Sequence, residues 1–136
     1  MVPEPEEPEP LLEYRCTTLF PTAIGNERFR VLADGRVQHQ RNEQEPPPGQ
    51  EWCTPEPETV GIVERAEERL RELLRQGGFF DLATCTTNPD ALDGCREELR
   101  WHPPADHRRV VAEAVDIPEL AELVRALRGL CQLWGR

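Results

Sequence analysis

The chain has 136 residues, enough for one domain with a real core and too few for two. Its formal net charge is −10, and all sixteen basic residues are arginine. Because binding to a nucleic-acid backbone requires a cationic surface, this balance argues against a DNA- or RNA-binding protein and is compatible with docking onto a basic partner. No apolar run reaches the roughly 20 residues of a membrane-spanning helix.

The first ten residues, MVPEPEEPEP, consist mainly of proline and glutamate. Such a segment buries little apolar surface, so we expect 1–10 to be a disordered tether and 11–134 to be a single domain. No signal peptide is present. A spacer of this kind fits a protein whose signal or lipid anchor has been removed upstream, which suggests an extracytoplasmic location, periplasmic or at the cell surface. A cytoplasmic location is the alternative.

The first third of the domain predicts three strands. Residues 11–20 mix β-branched and aromatic side chains, and the runs 29–33 and 36–40 flank Asp34-Gly35, a typical two-residue hairpin turn. The polar, proline-rich segment 41–51 is expected to be a flexible loop, after which Trp52 returns to the domain. His39 is interpreted as a half-exposed strand residue.

The segment between Thr54 and Gly78 predicts the principal helix. Thr54 and Pro55 offer an N-cap and a first-turn proline, and the Gly77-Gly78 pair ends the helix because glycine adopts the left-handed conformation. The apolar residues recur at helical spacing, and Phe79 and Phe80 follow to fill the core below. The stripe consists of Ile62, Ala66, Leu70, Leu73 and Leu74.

The C-terminal part predicts a loop, two strands and a second helix. The loop spans 83–94, and the strands span 97–102 and 108–115. Asp116 caps a helix with an apolar stripe from Leu120 onward, near whose end Trp134 is expected to be partly exposed. The fold class is therefore α+β: an antiparallel sheet of about four to five strands packed by two amphipathic helices, in the order β-β-β-α-β-β-α.

Five cysteines are many for a chain of this length. Cys85 and Cys95 flank a turn-rich segment and are a candidate disulfide, in which case Cys16 and Cys53 form the second and Cys131 is a buried apolar residue. The alternative is that all five are reduced.

Candidates for metal binding and catalysis are weak. His102 and His107 flank a turn but have no carboxylate cluster or thiolate beside them, and Leu92 interrupts the calcium-loop pattern of Asn88, Asp90 and Asp93. The chain contains no serine and no glycine-rich phosphate loop. We therefore expect no enzymatic activity and no cofactor.

Several segments resemble a class of small bacterial domains. These are the run GFFDL at 78–82, Asp93 in the following loop, the strand at 107–111 and the P-x-L-x-x-L helix from Pro118 to Leu123. The order is similar to that of the emfourin-type inhibitors of thermolysin-like metalloproteases and of related secreted bacterial domains. The resemblance implies an α+β fold and an inhibitor-like function.

Three functions follow from these features. The first is a non-enzymatic, extracytoplasmic protein-binding module, inhibitor-like or partner-docking, with Trp52, Asp90, Asp93 and Trp134 as candidate contacts. The second is a small-ligand or metal-binding domain that uses the Cys85–Cys95 loop with His102 and His107. The third is a structural subunit of an assembly, held by the last helix and Trp134.

Overall fold

The computed structural model describes residues 9–19, 22–90 and 94–133. Seven strands and two helices occur in this part of the chain. Their bounds are β1 Pro10–Thr18, β2 Glu27–Leu32, β3 Arg36–Arg41, β4 Glu58–Ile62, α1 Ala66–Gln76, β5 Cys85–Thr87, β6 Cys95–Trp101, β7 Arg108–Glu113 and α2 Pro118–Leu130. Most of the predicted tether, 1–8, lies outside the described residues.

All seven strands belong to one sheet with the order β4-β3-β2-β1-β6-β7-β5. Neighbouring strands are antiparallel except β5 and β7, which are parallel. The predicted β2–β3 hairpin is confirmed. Gly35 has φ +91° at its turn and donates its N–H to the Leu32 carbonyl at 2.8 Å. This sheet places β1 and β6, which are distant in sequence, side by side at its centre.

The class α+β is retained, but the prediction of a four- to five-stranded antiparallel sheet in the order β-β-β-α-β-β-α is wrong. Two strands were missed, and the sheet is mixed. The strand β5 lies within the segment predicted to be a loop, since three residues ending in two threonines give no measurable period. It pairs in parallel with β7, a contact that depends on tertiary structure alone.

The strand β4 occupies the first part of the predicted principal helix. Its Thr59, Val60 and Ile62 are β-branched and pair with β3, so the strand preference of these side chains prevails over the helical spacing. Ile62, which we predicted to lie on the helix stripe, is 71% exposed. Helix α1 begins only at Ala66, after Arg65 in the left-handed conformation.

Both helices pack on the same face of the sheet. Leu70 and Leu74 of α1 and Leu123 and Leu127 of α2 are buried against the strands. The sheet side of this core consists mainly of Leu12, Tyr14, Phe29, Val31, Val37, Leu99, Trp101 and Val110. The arrangement is a two-layer α/β sandwich in which the helices leave one sheet face uncovered.

The GFFDL segment closes the end of α1. Gly78 adopts φ +76°, and Phe79–Asp81 form a short 3-10 turn. Phe79 is fully buried, and Phe80 packs edge-on against it with ring centroids 5.3 Å apart. This motif therefore contributes to the core.

Candidate functional site

The sheet face opposite the helices, here called the open face, is rich in arginine. Strand side chains alternate between the two faces, so the register of the ladders shows which residues share it. No helix of the described residues packs on this face. On β1, β2, β6 and β7 its arginines are Arg15, Arg28, Arg30, Arg96, Arg100 and Arg109; Arg36 at the start of β3 shares the face and pairs with Asp34 of the turn.

Three of these arginines form a crowded group. Arg15 and Arg28 are directly opposite each other on β1 and β2, and Arg30 lies two residues further along β2. The pKa of the Arg28 guanidinium is lowered, first by burial and then by the charges of Arg15 and Arg30. Like charges directly across a ladder destabilise a sheet. Arg15 pairs with Glu51, and Arg28 and Arg30 donate to Gln40 and Gln38, both at 2.6 Å, so this repulsion is offset in part.

Trp52 is the only aromatic residue found against this group in the described part of the chain. The Arg28 guanidinium lies 4.8 Å from the centre of the Trp52 ring, and that of Arg15 lies 5.9 Å from it. Such cation–π contacts partly offset the repulsion between the two cations. Trp52 is 9% exposed, and its Nε1 is buried without a hydrogen-bond partner.

The position of Trp52 depends on Asn42, which is buried at the start of the 41–51 loop. Asn42 donates from Nδ2 to the Ala23 and Glu51 carbonyls, both at 3.0 Å. Its Oδ1 accepts the Cys53 N–H at 2.9 Å. This one side chain therefore fixes the end of the loop and holds the tryptophan over the arginines.

The open face has fewer carboxylates than arginines. Against the six arginines of β1, β2, β6 and β7 stand the strand carboxylates Glu13, Glu98 and Glu113 and Glu51 of the 41–51 loop, which pairs with Arg15. Glu98 accepts from Arg109 at 2.6 Å and from Arg96 at 3.0 Å. Burial opposes ionisation of Glu98, but these two hydrogen bonds outweigh it and lower the pKa of the carboxyl.

Arg100 is exposed at the centre of this surface. Neither a hydrogen bond nor an ion pair holds its guanidinium among the residues the structure describes. With Glu13, Arg15 and Glu98 it lines a small cleft of about 70 Å³. The open face therefore presents a cationic surface within an acidic protein, and guanidinium groups bind carboxylates through two parallel hydrogen bonds.

A second polar group lies under α2, on the helix side of the sheet. The Glu27 carboxylate is 2.7 Å from His39 Nε2 and accepts from both terminal nitrogens of Arg128, one of them at 3.0 Å. Burial opposes ionisation of Glu27, but the hydrogen bonds from His39 and Arg128 lower its pKa to about 2. Tyr14 donates to Glu97 at 2.7 Å nearby.

This buried group ties α2 to the sheet. His39, which we predicted to be half-exposed, is 8% exposed. Its ring faces a carboxylate that is already paired with an arginine. The polar atoms are thus satisfied by one another, and we interpret the group as structural.

Neither predicted disulfide pair is brought together. All five cysteines lie in the described part of the chain, and their thiols are free. The strand β7 separates Cys85 from Cys95, whose side chains point to opposite faces. Cys53 lies in the loop that follows Asn42, where its thiol donates to the Gln44 carbonyl at 3.0 Å, whereas Cys16 points to the helix side of β1.

The two candidate metal ligands, His102 and His107, do not form a metal site in the described part of the chain. His102 Nε2 lies 3.0 Å from the Glu13 carboxylate, in a geometry that suits an ion pair and lacks a well-aligned hydrogen bond. His107 is exposed. Within 9–19, 22–90 and 94–133, no group of three metal-ligating side chains is arranged to hold an ion.

Of the four predicted partner contacts, the structure describes two. Trp52 belongs to the open face, and Asp90 is exposed in the loop before β6. Asp93 and Trp134 lie outside the described residues. None of the described helices has the length and apolar character needed to cross a membrane.

Comparison with other proteins gives no assignment. No protein-family model matches the chain, and no curated protein matches it significantly. The function is therefore argued from the two faces of the sheet.

Proposed function

We propose that this protein is a non-enzymatic protein-binding module that uses its open face to bind an acidic segment of a partner protein. The observation that carries the proposal is the concentration of arginine on the uncovered sheet face. Six of the sixteen arginines lie there on β1, β2, β6 and β7 alone, although the chain as a whole carries a net charge of −10.

The crowding of Arg15, Arg28 and Arg30 supports this proposal. Arg15 pairs with Glu51, but the charges of Arg15 and Arg30 still lower the pKa of Arg28, and a carboxylate from a partner relieves this remaining repulsion. The repulsion between the arginines is thus smaller in the complex than in the free protein. This difference favours a binding role for the arginines over a purely structural role. Trp52 lies over Arg28 and is itself buried, so it positions this arginine on the face.

The chemistry of the partner follows from the charge. Phosphate groups also bind arginine, but the acidic balance of the whole chain repels a nucleic-acid backbone. An acidic protein segment makes local contact with the arginines and avoids the long-range penalty of a polyanion. We place the module outside the cytoplasm, on its proline- and glutamate-rich segment, and the emfourin-like resemblance makes metalloproteases one class of partner to include.

Two charge-reversal variants test the proposal. Arg28→Glu with Arg100→Glu alters the open face, and Glu at position 28 is opposite Arg15, so the sheet keeps a favourable cross-strand pair. Arg69→Glu with Arg125→Glu makes the same change in net charge on exposed positions of α1 and α2. Partners are captured on immobilised protein from an extract of the source cells.

We expect the wild type and the helix variant to capture the same acidic protein, and the open-face variant to lose it. Capture should also fall as salt is added, because exposed charges are screened. Equal capture by all three proteins, or loss only in the helix variant, would contradict the proposal, as would the absence of any captured protein. Circular dichroism of the variants verifies that each is folded.

A further inference from the structure

The ladder between β1 and β6 brings together two cysteines that the sequence did not pair. Cys16 is opposite Glu97, and Thr18 is opposite Cys95. Cys16 and Cys95 are therefore diagonal neighbours on adjacent strands, and both point to the helix side of the sheet. Diagonal neighbours on one face of a ladder lie farther apart than directly opposite residues, so a bond between these two short side chains requires a small shift of the strands.

Cys95 affects the ionisation of Cys16. Burial raises the pKa of the Cys16 thiol to about 12, with further contributions from the charges of Cys95 and Glu97. Cys16 is half-buried, whereas Cys95 is exposed. Cys95 also lines a cleft of about 360 Å³ together with Asn88, Gly94 and Glu97, which gives a small molecule access to its sulfur.

The other three thiols are placed differently. Cys85 points to the open face beside Arg109, Cys53 is in a loop, and Cys131 is 2% exposed at the end of α2. The strand pairing of the described residues therefore places no second cysteine beside any of these three.

We propose that Cys16 and Cys95 form an oxidisable pair, which a low-molecular-weight disulfide converts to a β1–β6 disulfide bond. Cys95 reacts first because it is exposed. Its thiolate attacks one sulfur of the small disulfide, forms a mixed disulfide and expels one thiolate. Cys16 then loses its proton and attacks the Cys95 sulfur, and the second small thiol leaves. Two protein thiols are oxidised, and one small disulfide is reduced to two thiols.

The bond has a defined structural effect. It links the two strands at the centre of the sheet and closes the chain between residues 16 and 95 into one loop. A cross-link over so long a segment restricts the unfolded chain, so we expect Tm to rise by about 5 °C or more. The proposal is independent of the partner-binding function and is tested without a partner.

The test uses oxidised glutathione as the probe, with the full chain and three variants. The wild type should lose two hydrogens in intact mass, and digestion without reductant should yield a peptide that links Cys16 to Cys95. Cys95→Ala should show no such loss. Cys85→Ala is the matched control, since Cys85 is also exposed and belongs to the same sheet, and it should form the bond as the wild type does.

The third variant, Cys16→Ala, separates the two steps. Cys95 should then stop at the mixed disulfide and gain the mass of one glutathione. A peptide linking Cys85 to Cys95 or Cys16 to Cys53 would overturn the proposal. So would a wild type that retains five free thiols or carries only mixed disulfides, or an oxidised wild type whose Tm does not rise relative to oxidised Cys95→Ala.

Discussion

At the scale of single residues, the buried Glu27 is the most constrained group of the described chain. Its carboxylate accepts hydrogen bonds from His39 on β3 and Arg128 on α2, and it is 6% exposed. The Arg128 guanidinium also lies over the rings of Tyr14 and Phe29, at 5.8 and 5.6 Å. The removal of one partner leaves the others buried and unpaired, which costs more than the pair itself contributes.

We predict that Glu27→Gln lowers the free energy of unfolding by about 3 kcal/mol at neutral pH, since Arg128 then keeps a buried charge without its carboxylate. Urea denaturation measures the change. Glu122→Gln is the control, because Glu122 is 72% exposed and pairs with Arg125 only on the surface of α2. We expect that variant to change stability by less than about 0.5 kcal/mol. Equal effects of the two substitutions would show that the Glu27 contacts do not stabilise the fold.

The lowered pKa of Glu27 gives a prediction for pH. The pKa is about 2 in the folded protein against 4.5 for the free side chain, so the ionised carboxylate stabilises the fold. This stabilisation is complete above about pH 5 and is lost as the pH falls from 4.5 towards 2. The difference in unfolding free energy between wild type and Glu27→Gln should therefore narrow over that range. A difference that is constant between neutral pH and about pH 2 would contradict the assignment.

At the scale of elements, the β2–β3 hairpin and the following β4 share one glycine. Gly35 has φ +91°, and its carbonyl accepts the Val63 N–H at 2.8 Å, so the turn also fixes the end of β4. A Cβ at position 35 would lie 2.3 Å from the Val63 carbonyl oxygen. The short approach between two backbones explains why the position requires glycine.

We predict that Gly35→Ala destabilises the protein by at least about 3 kcal/mol, because backbone strain and a backbone clash combine. Gly25→Ala provides a matched comparison. Its φ is +85°, and a Cβ there meets nothing within 4 Å, so it bears the strain alone and should cost about 1 kcal/mol. Thermal unfolding of both variants measures the difference. Similar losses in both would show that the contact with Val63 is unimportant.

Sequence patterns predicted the elements where periodicity or turn chemistry is local. The Asp34-Gly35 hairpin and the glycine-terminated helix belong to this group. Sequence patterns did not predict the elements whose structure depends on pairing with another strand. Thr59 to Ile62 fits a helix stripe by spacing and becomes a strand because β3 offers an edge, and β5 exists only through β7.

The candidate site was predictable only in part, for the same reason. Alternation along β2 and β3 shows that Arg30 and Gln38 share one face, but it does not show which other strands contribute to that face. The grouping of the six arginines requires the order of the strands, since β1, β2 and β6 are separated in sequence and adjacent in the sheet. The predicted cysteine pairs are not brought together for the same reason, because the sequence does not show the ladder that places Cys16 opposite Glu97, two residues from Cys95.

At the scale of the whole molecule, the net charge and the charge of one surface differ. The net charge of −10 favours a basic partner, but the open face presents arginines, whereas Glu67 and Glu122 on the helices pair with Arg71 and Arg125. A partner contacts one local surface of the protein. The local excess of arginine on the open face therefore decides how an acidic partner is oriented on it. The protein is a two-layer domain whose helices cover the core, and we propose that its uncovered sheet face binds the partner.

The central claim is that the open face contacts the partner, and an arginine footprint of the complex tests it most directly. Phenylglyoxal modifies accessible arginines, and mass spectrometry quantifies each site with and without the captured partner. We predict that Arg100 and Arg109 become protected in the complex, while Arg69 on α1 and Arg125 on α2 stay as reactive as in the free protein. Protection of the two helix arginines with Arg100 and Arg109 unchanged would contradict the claim and assign binding to the helical face.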